Sequence, residues 1–140
     1  MCIRDSINPG DEVLVPTPYW VSYADQIKMN EGVPVFVTAT EEHHFKVTVG
    51  QLEAARTDKT KVLMLNSPSN PTGMIYSREE LEAIGNWAVE HDLLILADDI
   101  YGRLVYNGNT FTPISSISES IRQQTIVING VAKAYAMTGW

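Results

Sequence analysis

Short apolar runs alternate along the chain with segments of helical period. Glu12-Val13-Leu14-Val15 is the first run of strand character. Residues 21–29 follow as a helix, and residues 33–38 as a second strand in which Pro34 marks a start or an edge. Thr48-Val49-Gly50-Gln51 has the form of a capping box and opens a helix through Leu52, Ala55 and Arg56. Residues 61–65 are nearly all apolar, as a strand covered on both faces should be. A second capping box, Ser77-Arg78-Glu79-Glu80, precedes a helix with Leu81, Ile84, Trp87 and Ala88 on one stripe. Residues 93–97 and 125–128 are the fourth and fifth strands. Strands separated by helices predict an α/β fold, a mixed, mainly parallel sheet with helices on both faces.

That architecture predicts where chemistry lies, because open α/β sheets bind ligands outside the carboxyl ends of their strands. Four unusual segments fall at such ends: Pro18-Tyr19-Trp20, residues 66–73, residues 98–101 and residues 129–133. Lys133 follows the fifth strand by the short turn Asn129-Gly130, among Val131, Ala132, Ala134 and Tyr135. Apolar surroundings predict a partly desolvated amine, with a lowered pKa and more of the nucleophilic form that an imine with an aldehyde requires. A lysine snorkelling from an apolar segment fits the same local text.

Asp98 and Asp99 end the fourth strand, where neighbouring side chains point to opposite faces. One turn further, Tyr101 can share a pocket with Asp98. A carboxylate in a dry pocket can keep a pyridine nitrogen protonated, and a phenol can donate to an oxyanion. An acidic helix cap beside a core tyrosine fits equally well locally. In Asn66-Ser67-Pro68-Ser69-Asn70-Pro71-Thr72-Gly73, two prolines and a glycine stiffen a loop that can present the Asn70 amide. Trp20 offers a flat indole for stacking, or is simply a core tryptophan.

Composition narrows the classes. The 140 residues are 44% apolar with a formal net charge of −7. No Lys/Arg-rich run is present, so neither nucleic acid nor an anionic membrane is an expected partner. No apolar run approaches the roughly 18 residues of a membrane span. A single cysteine, Cys2, excludes an internal disulfide and a Cys-rich metal site. The adjacent His43 and His44 lack metal-ligand spacing, and His91 ends a helix where its charge suits the dipole. No Ser-His-Asp set, dinucleotide glycine pattern or P-loop occurs. A cytoplasmic protein is the expectation.

Taken together, Asn8-Pro9-Gly10-Asp11, Pro16-Thr17-Pro18-Tyr19-Trp20, Asn66-x-Pro68-x-Asn70-Pro71-Thr72-Gly73, Asp98-Asp99-Ile100-Tyr101 and the run from Lys133 to Trp140 resemble the class I aminotransferases. These are pyridoxal phosphate enzymes of fold type I that include aspartate aminotransferase. The resemblance implies Lys133 as the Schiff-base lysine and Asp98 as the partner of the pyridine nitrogen. Tyr101 and Asn70 would bond the ring hydroxyl oxygen, and Trp20 would stack on the ring. Trp20 and Asn70 would also border the substrate. It implies cis peptides before Pro18 and Pro71, a homodimer, and transamination between an L-amino acid and a 2-oxo acid. A pyridoxal phosphate lyase on the same fold and a non-catalytic binding module are the alternatives.

Two positions depart from common family text: Asp99 where many relatives have Glu, and Ala132 where many have Ser. By the resemblance, residues 7–140 are a central slice of the large domain, and residues 1–6 a foreign leader. The phosphate-gripping arginine expected just beyond Trp140, the upstream phosphate turn, the partner-subunit tyrosine and the carboxylate-binding arginine fall outside the slice. The slice alone is expected to be inactive.

Overall fold

The computed structural model describes residues 3–139. Trp140, Cys2 and the first residue of the expected leader lie outside them. Five strands form one sheet in the order β2-β1-β3-β4-β5: β1 Glu12–Thr17, β2 Val33–Thr38, β3 Thr60–Asn66, β4 Leu94–Asp98 and β5 Thr125–Ile128. All four pairings among the described residues are parallel. The five runs read from the sequence are these strands, displaced by two residues or fewer at their ends.

Five helices connect or follow them: α1 Ser22–Lys28, α2 Val49–Ala55, α3 Arg78–Glu90, α4 Glu119–Gln123 and α5 Val131–Ala134. The two predicted capping boxes are present. Thr48 and Ser77 each accept from the backbone N–H three residues on, and the Gln51 and Glu80 side chains accept in return from the cap N–H. α1 is one residue shorter at each end than the sequence pattern suggested. The short helices α4 and α5 gave no long apolar stripe, and were not foreseen.

Side-chain alternation divides the core in two. Val13, Val15, Val62, Met64 and Leu96 point to one face, where Tyr23 and Ile27 of α1 cover them together with Ile3 and Ile7. Leu14, Leu63, Leu65, Ile95 and Ala97 point to the other, under Leu52 of α2, the α3 stripe of Leu81, Ile84, Trp87 and Ala88, and Ile121 of α4. Helices thus lie on both faces. No helix among the described residues is long and apolar enough to cross a membrane.

This topology fixes the site. The chain leaves β1 towards β2, then returns to pair β3 on the other side of β1. The order therefore reverses between β1 and β3, where such sheets open a crevice at the carboxyl edge. Because the strands are parallel, the segments after β1, β3, β4 and β5 all emerge at that edge.

Candidate active site

At the carboxyl edge lies a cavity of about 130 Å³ bounded by Trp20, Tyr23, Asn70, Asp98, Ile100, Tyr101 and Lys133. All five residues singled out from the sequence are among these seven, although 113 positions separate Trp20 from Lys133. Asp98 continues the parity of Leu94 and Leu96, so its carboxylate turns towards α1. It is 8% exposed. Its Oδ2 accepts the Tyr23 hydroxyl at 2.6 Å and its Oδ1 accepts the Ile100 N–H at 3.2 Å. Burial costs an ion its hydration, and such donors restore part of that cost. Asp99, buried as well, does not line the cavity.

Asn70 reaches the cavity through its loop. The loop folds back on itself: Ser69 N–H donates to the Met74 carbonyl and Gly73 N–H to the Ser69 carbonyl, with Gly73 at a φ of 73° that favours glycine. The Thr17-Pro18, Ser67-Pro68 and Asn70-Pro71 peptides are cis, including the two expected. Asn66 ties the loop to the sheet. Its Nδ2 donates to the Asp98 carbonyl at 2.8 Å, and its Oδ1 accepts the Asn70 N–H at 2.7 Å. Asn70 Nδ2 in turn donates to the Tyr101 hydroxyl at 3.2 Å. The Tyr101 proton is thereby left to point elsewhere, free for an acceptor in the cavity.

Trp20 stands at the mouth, 41% exposed, and meets Tyr23 edge-on with ring centroids 5.4 Å apart and planes at 90°. Lys133 sits in α5, directly after β5. Here one sequence expectation fails. Lys133 is exposed, and so are its apolar neighbours Val131 and Tyr135. Apolar residues adjacent in sequence shield an amine only when they fold over it, and on this one-turn helix they turn outward. Partial desolvation is therefore not a property of Lys133 in this chain.

Two residues of the site escaped the sequence reading. Tyr23 could have been found three residues after Trp20 in the helical segment, a spacing that puts both on one face. Asn66 stood in the quoted motif, but its bond to the Asp98 carbonyl, 32 residues away, carries no local signal. Among the described residues, no cluster of three or more His, Cys, Asp or Glu could hold a metal.

The sequence matches the family model described as aminotransferase class I and II over residues 1–140. It is 78% identical over 134 residues to a Streptococcus mutans protein named asparagine–oxo-acid transaminase, covering 96% of this chain and 34% of that protein. An aspartate aminotransferase of Bacillus sp. is 56% identical with the same coverage. Among solved structures, the aspartate aminotransferase of Rhizobium meliloti superposes with a TM-score of 0.95 at 41% identity, over 99% of this chain and 35% of that one. That of Thermus thermophilus with maleate superposes at 0.92 and 42% identity, over 99% and 35%. The chain spans about a third of the length of these relatives. With a matching family model along its whole length and a fold shared over 99% of its residues, the chain belongs to the class I and II aminotransferases.

Proposed function

We propose that this chain is the cofactor-holding centre of a longer transaminase, which moves an amino group between an L-amino acid and a 2-oxo acid using pyridoxal phosphate. One observation carries the reading: an amine, a buried carboxylate, an amide–phenol pair and an indole bound a single cavity at the carboxyl edge of the sheet. The residues fit the group by the chemistry of this donor set. An amine suits an aldehyde, a carboxylate suits a protonated ring nitrogen, a phenol proton suits a ring oxyanion, and an indole suits a flat face. When bound, pyridoxal phosphate supplies a carbonyl that takes up amines and a cationic ring that accepts the electrons left when the substrate α-proton departs.

The side chains have distinct tasks. Lys133 Nζ is the amine that would hold the cofactor's aldehyde. In its free, neutral form the same amine would be the base that takes the substrate α-proton and returns it to a different carbon. Asp98 holds a proton on the ring nitrogen by its fixed negative charge. Tyr101, oriented by Asn70, donates to the ring oxygen. Trp20 closes one side against water. The assembled homodimer, which rests on the resemblance, and a cytoplasmic location, which rests on the composition, belong to the same proposal.

A four-carbon donor, asparagine or aspartate, is the substrate best supported. The relative at 78% identity is named for asparagine, others for aspartate, and the Thermus neighbour carries maleate, a four-carbon diacid. In the full-length protein, Lys133→Ala is expected to abolish the borohydride-trapped adduct on this peptide and to cut amino transfer at least about a hundredfold. Full activity in the variant refutes the assignment. Product analysis with each donor and a 2-oxo acid separates amino transfer from the lyase alternative, which releases ammonia and forms no new amino acid.

A further inference from the structure

Asp98 is the carboxylate of the cavity wall and is nearly sealed from solvent, and its two oxygens are held by donors of different kinds. Oδ1 is met by a backbone N–H from the next turn, at 3.2 Å. Oδ2 is met by the side chain of Tyr23, 75 residues away in sequence and across the α1 contact, at 2.6 Å. The second bond is the shorter, and it is long-range. Tyr23 is itself 4% exposed, its ring packed in the cluster with Val13, Val15 and Met64. An apolar residue would serve that packing alone. A hydroxyl buried there needs an acceptor, and its acceptor is the site carboxylate.

The ring makes a second contact with the site, since its edge abuts the Trp20 indole at 5.4 Å. Trp20 is otherwise an exposed residue at the cavity mouth. One side chain therefore touches both the carboxylate and the indole of the cavity.

We infer that Tyr23 is a positioning residue of the proposed cofactor site, holding the Asp98 carboxylate in orientation and supplying one of its two hydrogen bonds through its hydroxyl, while its ring sets the tilt of Trp20. The inference rests on the pyridoxal phosphate reading above. Hydrogen bonding to a carboxylate favours the charged form and lowers its affinity for a proton. A carboxylate so held leaves a shared proton on its partner nitrogen. Burial first, and then the bond to Asp98, raise the Tyr23 pKa far above its usual value, so the hydroxyl remains a donor at any working pH. Without that donor, the carboxylate loses one of its two hydrogen bonds, and the shared proton is drawn towards it. Its carboxylate is then fixed by the backbone bond alone.

The test uses the full-length protein reconstituted with pyridoxal phosphate labelled with ¹⁵N in the ring. Tyr23→Phe keeps the ring and the Trp20 contact and removes only the hydroxyl. At fixed neutral pH, its ring-nitrogen signal is expected to move towards that of unprotonated pyridine. Its affinity for pyridoxal phosphate by equilibrium dialysis should fall about tenfold, the scale of a lost charge-assisted hydrogen bond. A residue that merely fills the core would move neither. If the wild type binds and Tyr23→Phe matches it in signal and affinity, this inference alone is overturned. A wild type that takes up no pyridoxal phosphate overturns the cofactor reading and the inference together. Should Tyr23→Phe fail to fold, 3-fluorotyrosine incorporated at position 23 preserves the packing with a more acidic hydroxyl. It should move the nitrogen signal the opposite way, towards the protonated position, and no movement, or movement in the Phe direction, overturns the inference.

Discussion

Asp99 differs from Asp98 in what surrounds it. Burial, and then the charge of Asp98, push its carboxyl up to about 7 from 3.8. Between these values the folded state binds a proton that the unfolded state has released, so stability falls as pH rises from about 4 to 7 and stays low above. Asp99→Asn is therefore expected to raise the stability of the full-length protein at pH 8, by ~2 kcal/mol, and to change it little below pH 4. Thermal melts of both proteins at the two pH values check this. An equal gain at both would mean that the charge is not the cause. Glu53 shows the opposite sign. The Arg56 guanidinium first, then the Trp87 indole N–H, hold its carboxyl down at about 2, so its contribution is present above pH 4.5 and fades as pH falls towards 2. At this scale the sequence was legible where a residue belongs to an ordered motif, as Asn70, Asp98, Tyr101 and Lys133 do. It was not legible where role depends on burial or reach. Nothing near Lys133 in the chain says that Val131 and Tyr135 face outward. Nothing near Asn66 says that its amide bridges Asp98 and Asn70.

The elements were read well wherever a period or a cap marked them. Ser77 and Glu80 announce the start of α3, and its four-residue apolar stripe is buried as the spacing required. β3 and β4 are apolar on both sides because helices cover both faces, which is why alternation was absent and run length had to stand in for it. The region between β4 and β5 was opaque. α4 spans only Glu119–Gln123, and its identity as a helix comes from the Ser118 cap and from Ile121, which is fully buried against α3. That packing explains Gly85, a residue otherwise poor in a helix interior. A Cβ there would come within 2.5 Å of Ile121 Cδ1 and about 3 Å of its other branches. Gly85→Ala would gain up to ~1 kcal/mol of helix propensity. It would lose about 1–3 kcal/mol to overpacking against the fully buried Ile121 side chain. A net loss of ~1 kcal/mol in denaturant melts is expected, largely recovered by adding Ile121→Val, which removes the closest methyl. A stabilised single variant would show that α4 gives way instead.

On the scale of the whole molecule, parallel pairing gathers every strand's carboxyl end on one edge, and the order reversal beside β1 opens the crevice there. β2 and β5 lie at the sheet margins among the described strands, each paired on one side only. Val33, Phe36 and Val127 on these strands are exposed, and so are Val131 and Tyr135 beside Lys133. Unpaired strand edges with apolar side chains invite association. The 140 residues expressed alone are therefore expected to elute as aggregates and to show no amino transfer; a soluble, active monomer would contradict this. The cavity has a further property that follows from how it is walled. Trp20, Asn70, Asp98 and Lys133 stand at or just beyond the carboxyl ends of four different strands, so no local piece of the chain possesses a binding site. A ligand that fills the crevice recognises only the assembled sheet. Occupancy must then reinforce folding by mass action, by about 2.7 kcal/mol at a hundred times the dissociation constant. The melting temperature of the parent protein thus becomes a gauge of whatever compound this crevice was shaped to hold.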